Sequence, residues 1–220
     1  MIETIVGFYT RSSAQAGKNF AGTASASDLR KRKWSVFLSI TFGYGFYYVC
    51  RLSFSVAKKT MADEGVFDVS QMGMIGSALF FAYAIGKLTN GILADRLNVR
   101  RFMATGLFLS AIINLFLGCS SNFVFFLILW GMNGWFQSIG APSSVVSISH
   151  WFSDRERGTY YGMWSTSHNI GEAITFIAIA VVVTSFSWRA GFYVAGALGL
   201  AMSLLIWRFL YERPEAYGLP

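Results

Sequence analysis

Six long apolar stretches follow one another along the chain, separated by short polar or charged segments. A helix needs about 20 residues of this kind to cross the hydrocarbon core of a bilayer. The stretches carry Leu, Ala and Gly in long runs, which does not fit the alternating pattern of a membrane β-strand. They therefore predict an all-α membrane protein, a six-transmembrane-helix bundle. The predicted spans are Trp34–Lys58, Gln71–Leu93, Phe102–Cys119, Phe123–Val146, Thr159–Phe186 and Ala190–Tyr211.

Composition supports a membrane protein. Hydrophobic residues make up 54% of the 220 residues and charged residues 13%, against about a quarter charged in soluble domains. Residues 1–33 contain no apolar run followed by a cleavage site, so they do not resemble a secretory signal peptide. We expect them to form a basic cytoplasmic tail, followed by a six-helix domain over residues 34–211.

The basic residues are distributed unevenly over the predicted loops. With the N-terminus inside the cell, 13 of the 18 Lys and Arg residues lie on the cytoplasmic side, three lie outside and two lie within helices. Such a bias is the positive-inside signature of a multi-pass protein. It predicts an integral protein of the plasma (inner) membrane with both termini of this segment cytoplasmic. It also explains the net charge of +7 without a nucleic-acid partner.

Arg51 lies within the first predicted span. A guanidinium at membrane depth costs at least ~2.5–3.5 kcal/mol on insertion scales, so it persists where it faces protein or an aqueous cavity. Tyr44, Tyr47 and Tyr48 precede it by seven, four and three residues and share its helical face. We predict that this face binds an anion that carries hydroxyl groups, with the guanidinium of Arg51 donating paired hydrogen bonds to it. The alternative is that Arg51 extends towards the outer headgroups.

Two other ionisable side chains lie within predicted spans. Lys87, in the second span, either contacts the anion or pairs with Asp95 or Glu172, because ions within a membrane are usually paired. His168, in the fifth span, shares a helical face with Trp164. We expect His168 to contact substrate or to gate the site, with a packing role as the alternative.

Glu172 follows His168 by four residues, within pairing distance on a helix. It either neutralises His168 or Lys87, or it makes the site sensitive to protons, because a buried carboxylate can carry one. The second possibility would make the protein a proton-coupled anion symporter. Under that hypothesis, Glu172→Gln alters the pH dependence of uptake and spares assembly.

The segment between the second and third spans, from Gly91 to Arg101, resembles the loop signature of the major facilitator superfamily. The residues that carry the resemblance are Gly91, Asp95, Arg96, Arg100 and Arg101. The resemblance implies the N-terminal half of a major facilitator fold and a gating role for this loop. Gly91 is expected to permit close helix approach. Asn98 stands where many of these transporters have glycine and is a residue that tolerates the left-handed conformation.

Five further motifs look like the organophosphate:phosphate antiporter family, a branch of this superfamily. They are Gly43–Arg51, Tyr83–Lys87, Gly134–Gly140, His150–Gly158 and Trp164–Gly171, and residues 212–220 are similar to the start of the family's central cytoplasmic linker. The resemblance implies exchange of hexose 6-phosphate or glycerol 3-phosphate for inorganic phosphate by alternating access. It assigns substrate contact to Arg51, Lys87, His168 and Asn169, beside the tyrosines already named.

Two alternatives remain open beside a carrier. One is a transporter-like membrane sensor of extracellular hexose phosphate, and the other is the proton-coupled symporter raised by Glu172. Members of the family have twelve helices, so the implied partner is a second six-helix half. That half would come from the same full-length chain, a split gene or a second copy. No catalytic constellation, metal site or cofactor motif is recognised, so we do not expect an enzyme.

Overall fold

The computed structural model describes residues 7–10 and 26–217. Residues 7–9 form one helical turn, and seven α-helices and a final 3₁₀ turn occupy most of the rest. The helices are α1 Ala26–Asp63, α2 Val69–Arg96, α3 Val99–Gly118, α4 Phe123–Gln137, α5 Gly140–Trp151, α6 Asp154–Ser185 and α7 Trp188–Phe209, and the 3₁₀ turn is Pro214–Tyr217.

The predicted all-α six-helix bundle is confirmed. Each predicted stretch lies largely within helix, and the fourth is shared between α4 and α5. The first helix begins at Ala26, eight residues before the predicted start at Trp34, so the basic residues 30–33 belong to the helix. Residues 1–6 and 11–25 of the predicted tail and the last three residues of the predicted linker lie outside the described residues.

The fourth span is interrupted at Ser138 and Ile139. Pro142 has no amide hydrogen, so the carbonyl of Ser138 lacks its usual donor four residues later. The amide of Ser138 bonds to the carbonyls of Gly134 and Trp135, and its hydroxyl donates to Trp135 O at 2.7 Å. Together the two helices have the length and apolar composition of one 29-residue membrane span, Phe123–Trp151.

Five of the described helical segments have the length and apolar composition of membrane spans. They are α2, α3, α4 with α5, α6 and α7. Helix α1 is long enough at 38 residues, but its Ser, Gly and Tyr residues and Arg51 make it less apolar than the others. The least apolar helix is therefore the one that carries the predicted anion-binding face.

The bundle is built from pairs of helices in close contact: α1 with α6 and α7, α2 with α4, and α3 with α7. Small residues bring the backbones together, and a Cβ placed on Gly171 would lie 2.8 Å from the Cα of Gly45. Gly134 lies similarly against the carbonyl of Leu79. Gly91 does not serve this purpose, since a Cβ there would meet no described atom within 4 Å. Its predicted packing role is therefore wrong within the described bundle.

Asn98 caps α3 rather than adopting a left-handed conformation. Its φ is −65°, and its side chain accepts a hydrogen bond from the amide of Arg101. The side-chain amide also donates to Oε2 of the buried Glu212 at 2.8 Å. The left-handed conformation that asparagine tolerates is therefore not used at this position; helix capping and the contact with Glu212 determine the conformation of Asn98.

Candidate functional site

Arg51 lies between α1 and α2 among aromatic rings. Its guanidinium carbon is 4.3 Å from the ring centre of Tyr83, 5.6 Å from that of Tyr48 and 5.9 Å from that of Phe80. The side chain is half-buried. Cations are attracted to the faces of aromatic rings at such distances, so the rings hold the guanidinium without neutralising it.

Within the described part of the chain, Arg51 has neither an ion pair with a carboxylate nor a side-chain hydrogen bond. The structure therefore shows no structural ion pair that would account for this charge. A guanidinium has five N–H donors, and here they remain available to an anion.

Tyr48 connects Arg51 to α6. Its ring centre lies 5.8 Å from the imidazole of His168 and 5.5 Å from the ring of Tyr44. Tyr44 in turn packs on Trp164 of α6, with ring centres 4.9 Å apart. The predicted residues Arg51, Tyr48 and His168 are thus brought together across α1 and α6. Tyr44 is only 8% exposed and packs beneath them in the core, against Tyr48 and Trp164.

Lys87 joins the same surface from α2. Its Nζ is 5.5 Å from the ring centre of Tyr83, the ring that also contacts Arg51. Lys87 is exposed and, among the described residues, pairs with neither Asp95 nor Glu172. A continuous series of contacts therefore runs from Lys87 through Tyr83, Arg51 and Tyr48 to His168. We call these five residues the anion surface.

Sequence reasoning misses Tyr83 as a site residue. The available signal is its position four residues before Lys87, which places both on one helical face. The sequence does not show that α1 and α2 pack together so that the same ring contacts Arg51.

Two residues of the sequence prediction have no contact with the anion surface among the described side chains. Asn169 is exposed on α6, and Glu172 is half-buried one turn further along. Among the described residues, Glu172 forms no ion pair with His168 or Lys87. The pairing expected from its four-residue spacing is therefore absent.

Tyr47 is not part of the anion surface. Its side chain is 1% exposed, and its hydroxyl donates to the carbonyl of Met103 on α3 at 2.7 Å. The ring also lies against Gly140 at the start of α5. The prediction that Tyr47 shares the binding face of Arg51 is therefore wrong: Tyr47 points into the helix bundle, whereas Tyr44 and Tyr48 turn towards α6.

The loop-signature residues form a separate region at the far end of α2. Asp95 follows Tyr83 by twelve residues, about 18 Å by helical rise. Arg100 lies over Trp207, with the guanidinium carbon 5.6 Å from the ring centre, and Arg101 donates to the carbonyl of Phe8. Gly91 is half-buried, and Asp95 and Arg96 are exposed. None of the five is brought into contact with Arg51.

A groove of the described bundle lies away from the anion surface. It has a volume of about 430 Å³ and is formed mainly by apolar side chains of α1 and α6, with Leu198 of α7. Phe42 and Ile174 at its edge are exposed. Its lining includes three hydroxyl side chains, those of Thr41, Ser167 and Thr175, but no charged side chain and none of the five residues of the anion surface. The groove therefore lacks the positive charge that makes strong hydrogen bonds to an anion.

The side chains of the anion surface are of the kinds that can bind a phosphate group. Two cations, an imidazole and two phenols lie along it, and the cations are free of carboxylate partners within the described bundle. A phosphomonoester carries about −1.5 to −2 charges near neutral pH, which Arg51 and Lys87 together match. Arginine in addition offers paired donors to two phosphate oxygens.

The sequence model of the Major Facilitator Superfamily matches residues 37–220. The chain belongs to this superfamily. Its fold agrees: the bundle superposes with a TM-score of 0.71 on a bacterial homologue of the human lysosomal transporter Spinster, at 18% identity, over 84% of this chain and 44% of that one. A similarity at this level of identity concerns the fold alone.

Curated relatives are more similar in sequence. A probable hexose phosphate transport protein of Chlamydia pneumoniae is 42% identical over 185 residues, which are 84% of this chain and 41% of the relative. The membrane sensor protein UhpC of Escherichia coli K12 is 36% identical over 196 residues, 88% of this chain and 44% of the relative. The chain thus spans less than half the length of these relatives. The similarity confirms the resemblance to hexose-phosphate proteins that the sequence motifs indicate.

Proposed function

We propose that this chain forms the N-terminal half of an organophosphate:phosphate antiporter. The half would exchange hexose 6-phosphate, or glycerol 3-phosphate, for inorganic phosphate across the inner membrane. The observation that carries the proposal is the guanidinium of Arg51, which lies among aromatic rings and has no carboxylate partner in the described bundle. The relative named a hexose phosphate transport protein supports the choice of ligand.

In this proposal Arg51 donates two parallel hydrogen bonds to the phosphoryl group. Lys87 supplies the second positive charge, and the phenol of Tyr48 and the imidazole of His168 bond to oxygens of the phosphate or the sugar. Asn169 lies next to His168 and contacts the sugar end. Because inorganic phosphate and a phosphate ester share the phosphoryl group, one site serves both, as exchange requires.

A second six-helix half would complete the site. The face of α2 beside Arg51 and Lys87 is strongly apolar and open, with Phe80 62% exposed, Phe81 72% and Leu88 75%. Contiguous exposed apolar surface marks a contact with protein or lipid. With the anion bound between two halves, rocking of one against the other gives alternating access. In this picture the loop region from Gly91 to Arg101 gates the cytoplasmic side.

The proposal is tested by exchanging domains with a relative. The 185 aligned residues of the Chlamydia pneumoniae protein are replaced by the corresponding part of this chain, and the chimera is reconstituted into liposomes loaded with inorganic phosphate. We expect saturable uptake of labelled glucose 6-phosphate that depends on internal phosphate. Arg51→Lys is expected to lower uptake by about 100-fold, because lysine cannot reproduce the two parallel bonds.

A matched control is Arg208→Lys, an exposed arginine at the end of α7, which should leave uptake unchanged. Uptake by Arg51→Lys equal to that of the unmodified chimera would overturn the assignment of Arg51. Uptake that proceeds without internal phosphate would overturn the exchange mechanism.

A sensor is the second candidate, and the similarity to the sensor UhpC favours it. The same anion surface would then bind hexose phosphate without moving it across the membrane. Measurements on the same chimera distinguish the two functions: a sensor gives saturable binding of glucose 6-phosphate, sensitive to Arg51→Lys, and no counterflow of phosphate.

A further inference from the structure

A cluster of buried polar side chains surrounds the carbonyl oxygen of Cys50, the residue that precedes Arg51. The side-chain amide of Asn114 on α3 donates to this oxygen at 3.0 Å, and that of Asn133 on α4 donates at 3.3 Å. The hydroxyl of Ser53 approaches it at 3.4 Å. Three helices therefore meet at one backbone atom of α1.

The cluster continues behind Cys50 in a closed network. Ser53 donates to Oδ1 of Asn114 at 2.7 Å, and Ser110 donates to Oδ1 of Asn133 at 2.6 Å. Gln137 then donates to the hydroxyl of Ser110 at 2.6 Å. Asn114 uses both amide hydrogens, the second on the carbonyl of Ser110 at 2.9 Å. Directional bonds thus cross from α1 to α3 and from α3 to α4.

Every member of this network is removed from solvent. Ser53, Ser110, Asn114 and Asn133 are completely buried, and Gln137 is 3% exposed. Buried amides are costly unless their hydrogen bonds are made, and a satisfied network fixes one relative arrangement of the groups it joins. Apolar residues would fill the same space without specifying how far α1 is rotated or shifted along its axis.

Arg51 depends on that arrangement. It lies on the same turn as Cys50, and its own guanidinium makes no hydrogen bond within the described part of the chain. Aromatic rings contact it at 4.3 to 5.9 Å from their centres. The rotation of α1 about its axis and its shift along that axis at Cys50 therefore determine the position of the Arg51 guanidinium.

We propose that Asn114 and Asn133 are positioning residues that act through the Cys50 carbonyl to place Arg51 for binding a phosphoryl group. This inference rests on the phosphate-binding role proposed for Arg51. The two asparagines do not touch the ligand, and the network forms the interior support of the anion surface. Arginine recognition of phosphate is sensitive to small displacements, since paired bonds need aligned donors and acceptors.

The experiment uses the full 220-residue chain in lipid nanodiscs, with arginine side chains labelled by ¹⁵N. The Arg51 resonance is assigned from its loss in Arg51→Lys, and inorganic phosphate is titrated up to millimolar concentrations. We expect Asn133→Leu to move the Arg51 resonance before any phosphate is added. We also expect it to raise the Kd for phosphate by about tenfold, as a displacement of the binding group does.

Asn90→Leu is the matched control. Asn90 is also a buried asparagine that bonds between helices, donating to Ser138 Oγ at 2.7 Å, but it has no contact with Cys50. Its Leu variant should lower the thermal unfolding temperature and leave both the Arg51 resonance and the Kd unchanged. If Asn133→Leu behaves in the same way, its role is structural only and the positioning proposal is overturned.

Two further results separate the possible failures. If Asn133→Leu does not accumulate as folded protein, Ser53→Ala replaces it. That variant removes one hydroxyl of the network, so a Kd about threefold above wild type supports positioning, and a wild-type Kd overturns it. If the wild-type chain gives no phosphate-dependent shift of the Arg51 resonance, the proposed function fails first, whatever the asparagine variants show.

Discussion

The ring of Tyr83 lies between two cations, 4.3 Å from the guanidinium carbon of Arg51 and 5.5 Å from Nζ of Lys87. One side chain of α2 thereby contacts two positive charges on the same surface, and like charges repel each other. Anion binding relieves that repulsion. The arrangement therefore favours a ligand that carries close to two negative charges.

The first prediction concerns this ring. Tyr83→Leu removes the aromatic face and should weaken phosphate binding by about 0.5–2 kcal/mol, the range of cation–π contacts. Tyr83→Phe keeps the face and should bind phosphate as the wild type does. Phosphate titration of the two variants in nanodiscs measures the difference. Equal binding by Tyr83→Leu and Tyr83→Phe would show that the ring does not support Arg51.

The second prediction concerns Tyr47, whose spacing from Arg51 suggests a binding role but whose side chain is buried in the structure. Tyr47→Phe removes the bond to the Met103 carbonyl and leaves that acceptor buried, so it should lower stability by about 1–3 kcal/mol. Phosphate affinity should not change, since Tyr47 lies away from the anion surface. Thermal unfolding and phosphate titration of one preparation test both statements. A weaker affinity of Tyr47→Phe for phosphate would show that Tyr47 is part of the binding site.

The third prediction uses two facing glycines. A Cβ on Gly171 would lie 2.8 Å from backbone atoms of Gly45, whereas a Cβ on Gly45 would lie no closer than 3.7 Å to its nearest neighbour, the Ser167 carbonyl. Gly171→Ala should therefore force α1 and α6 apart and cost about 1–3 kcal/mol. Gly45→Ala should be tolerated. Equal unfolding temperatures for the two variants would contradict the close approach of these helices.

Much of the fold is predictable from the sequence because the membrane imposes a length on every span. The six stretches could be identified from apolar runs, and the errors lie at the ends. The start of α1 at Ala26 was missed because the basic segment before Trp34 is polar, and nothing in its composition distinguishes helix from tail. The break in the fourth span follows from Pro142, a residue that is visible in the sequence.

The site was predicted less completely. Helical spacing shows which residues share one face of a helix, but not which residues of other helices contact that face. Spacing grouped Tyr44, Tyr47 and Tyr48 with Arg51, yet only the packing of α1 against α3 and α6 decides which of them is buried. Tyr83 belongs to another helix and joins the group through a contact across the bundle. Likewise, the four-residue spacing of His168 and Glu172 permits an ion pair that the structure does not contain.

Glu172 provides the fourth prediction, which separates exchange from proton-coupled symport. Exchange needs no proton carrier, so Glu172→Gln in the chimera should retain the wild-type dependence of uptake on pH. Symport through this carboxylate predicts a flattened dependence, because glutamine cannot take up a proton. Glu215→Gln, at an exposed position in the final 3₁₀ turn, is the control. A flattened profile for Glu172→Gln alone would favour symport over the antiporter.

The last prediction concerns the two asparagines that cap helices. Asn122 caps α4 and is exposed, accepting from the amide of Phe125 at 3.0 Å. Asn98 caps α3 in the same way, but its amide also donates to the buried Glu212. Aspartate caps a helix as well as asparagine does, so Asn122→Asp should leave the unfolding temperature unchanged.

Asn98→Asp should behave differently, because it replaces the donor to Glu212 with a second carboxylate. Breaking a buried hydrogen bond to a charged group costs about 1.5–3 kcal/mol, and the repulsion adds to that cost. The double variant Asn98→Asp with Glu212→Gln restores a donor and should recover part of the loss. The measurement is the thermal unfolding temperature of the wild type, the two single variants and the double variant. If Asn98→Asp is as stable as Asn122→Asp, the hydrogen bond between Asn98 and Glu212 does not hold the chain after α7 against the α2–α3 turn.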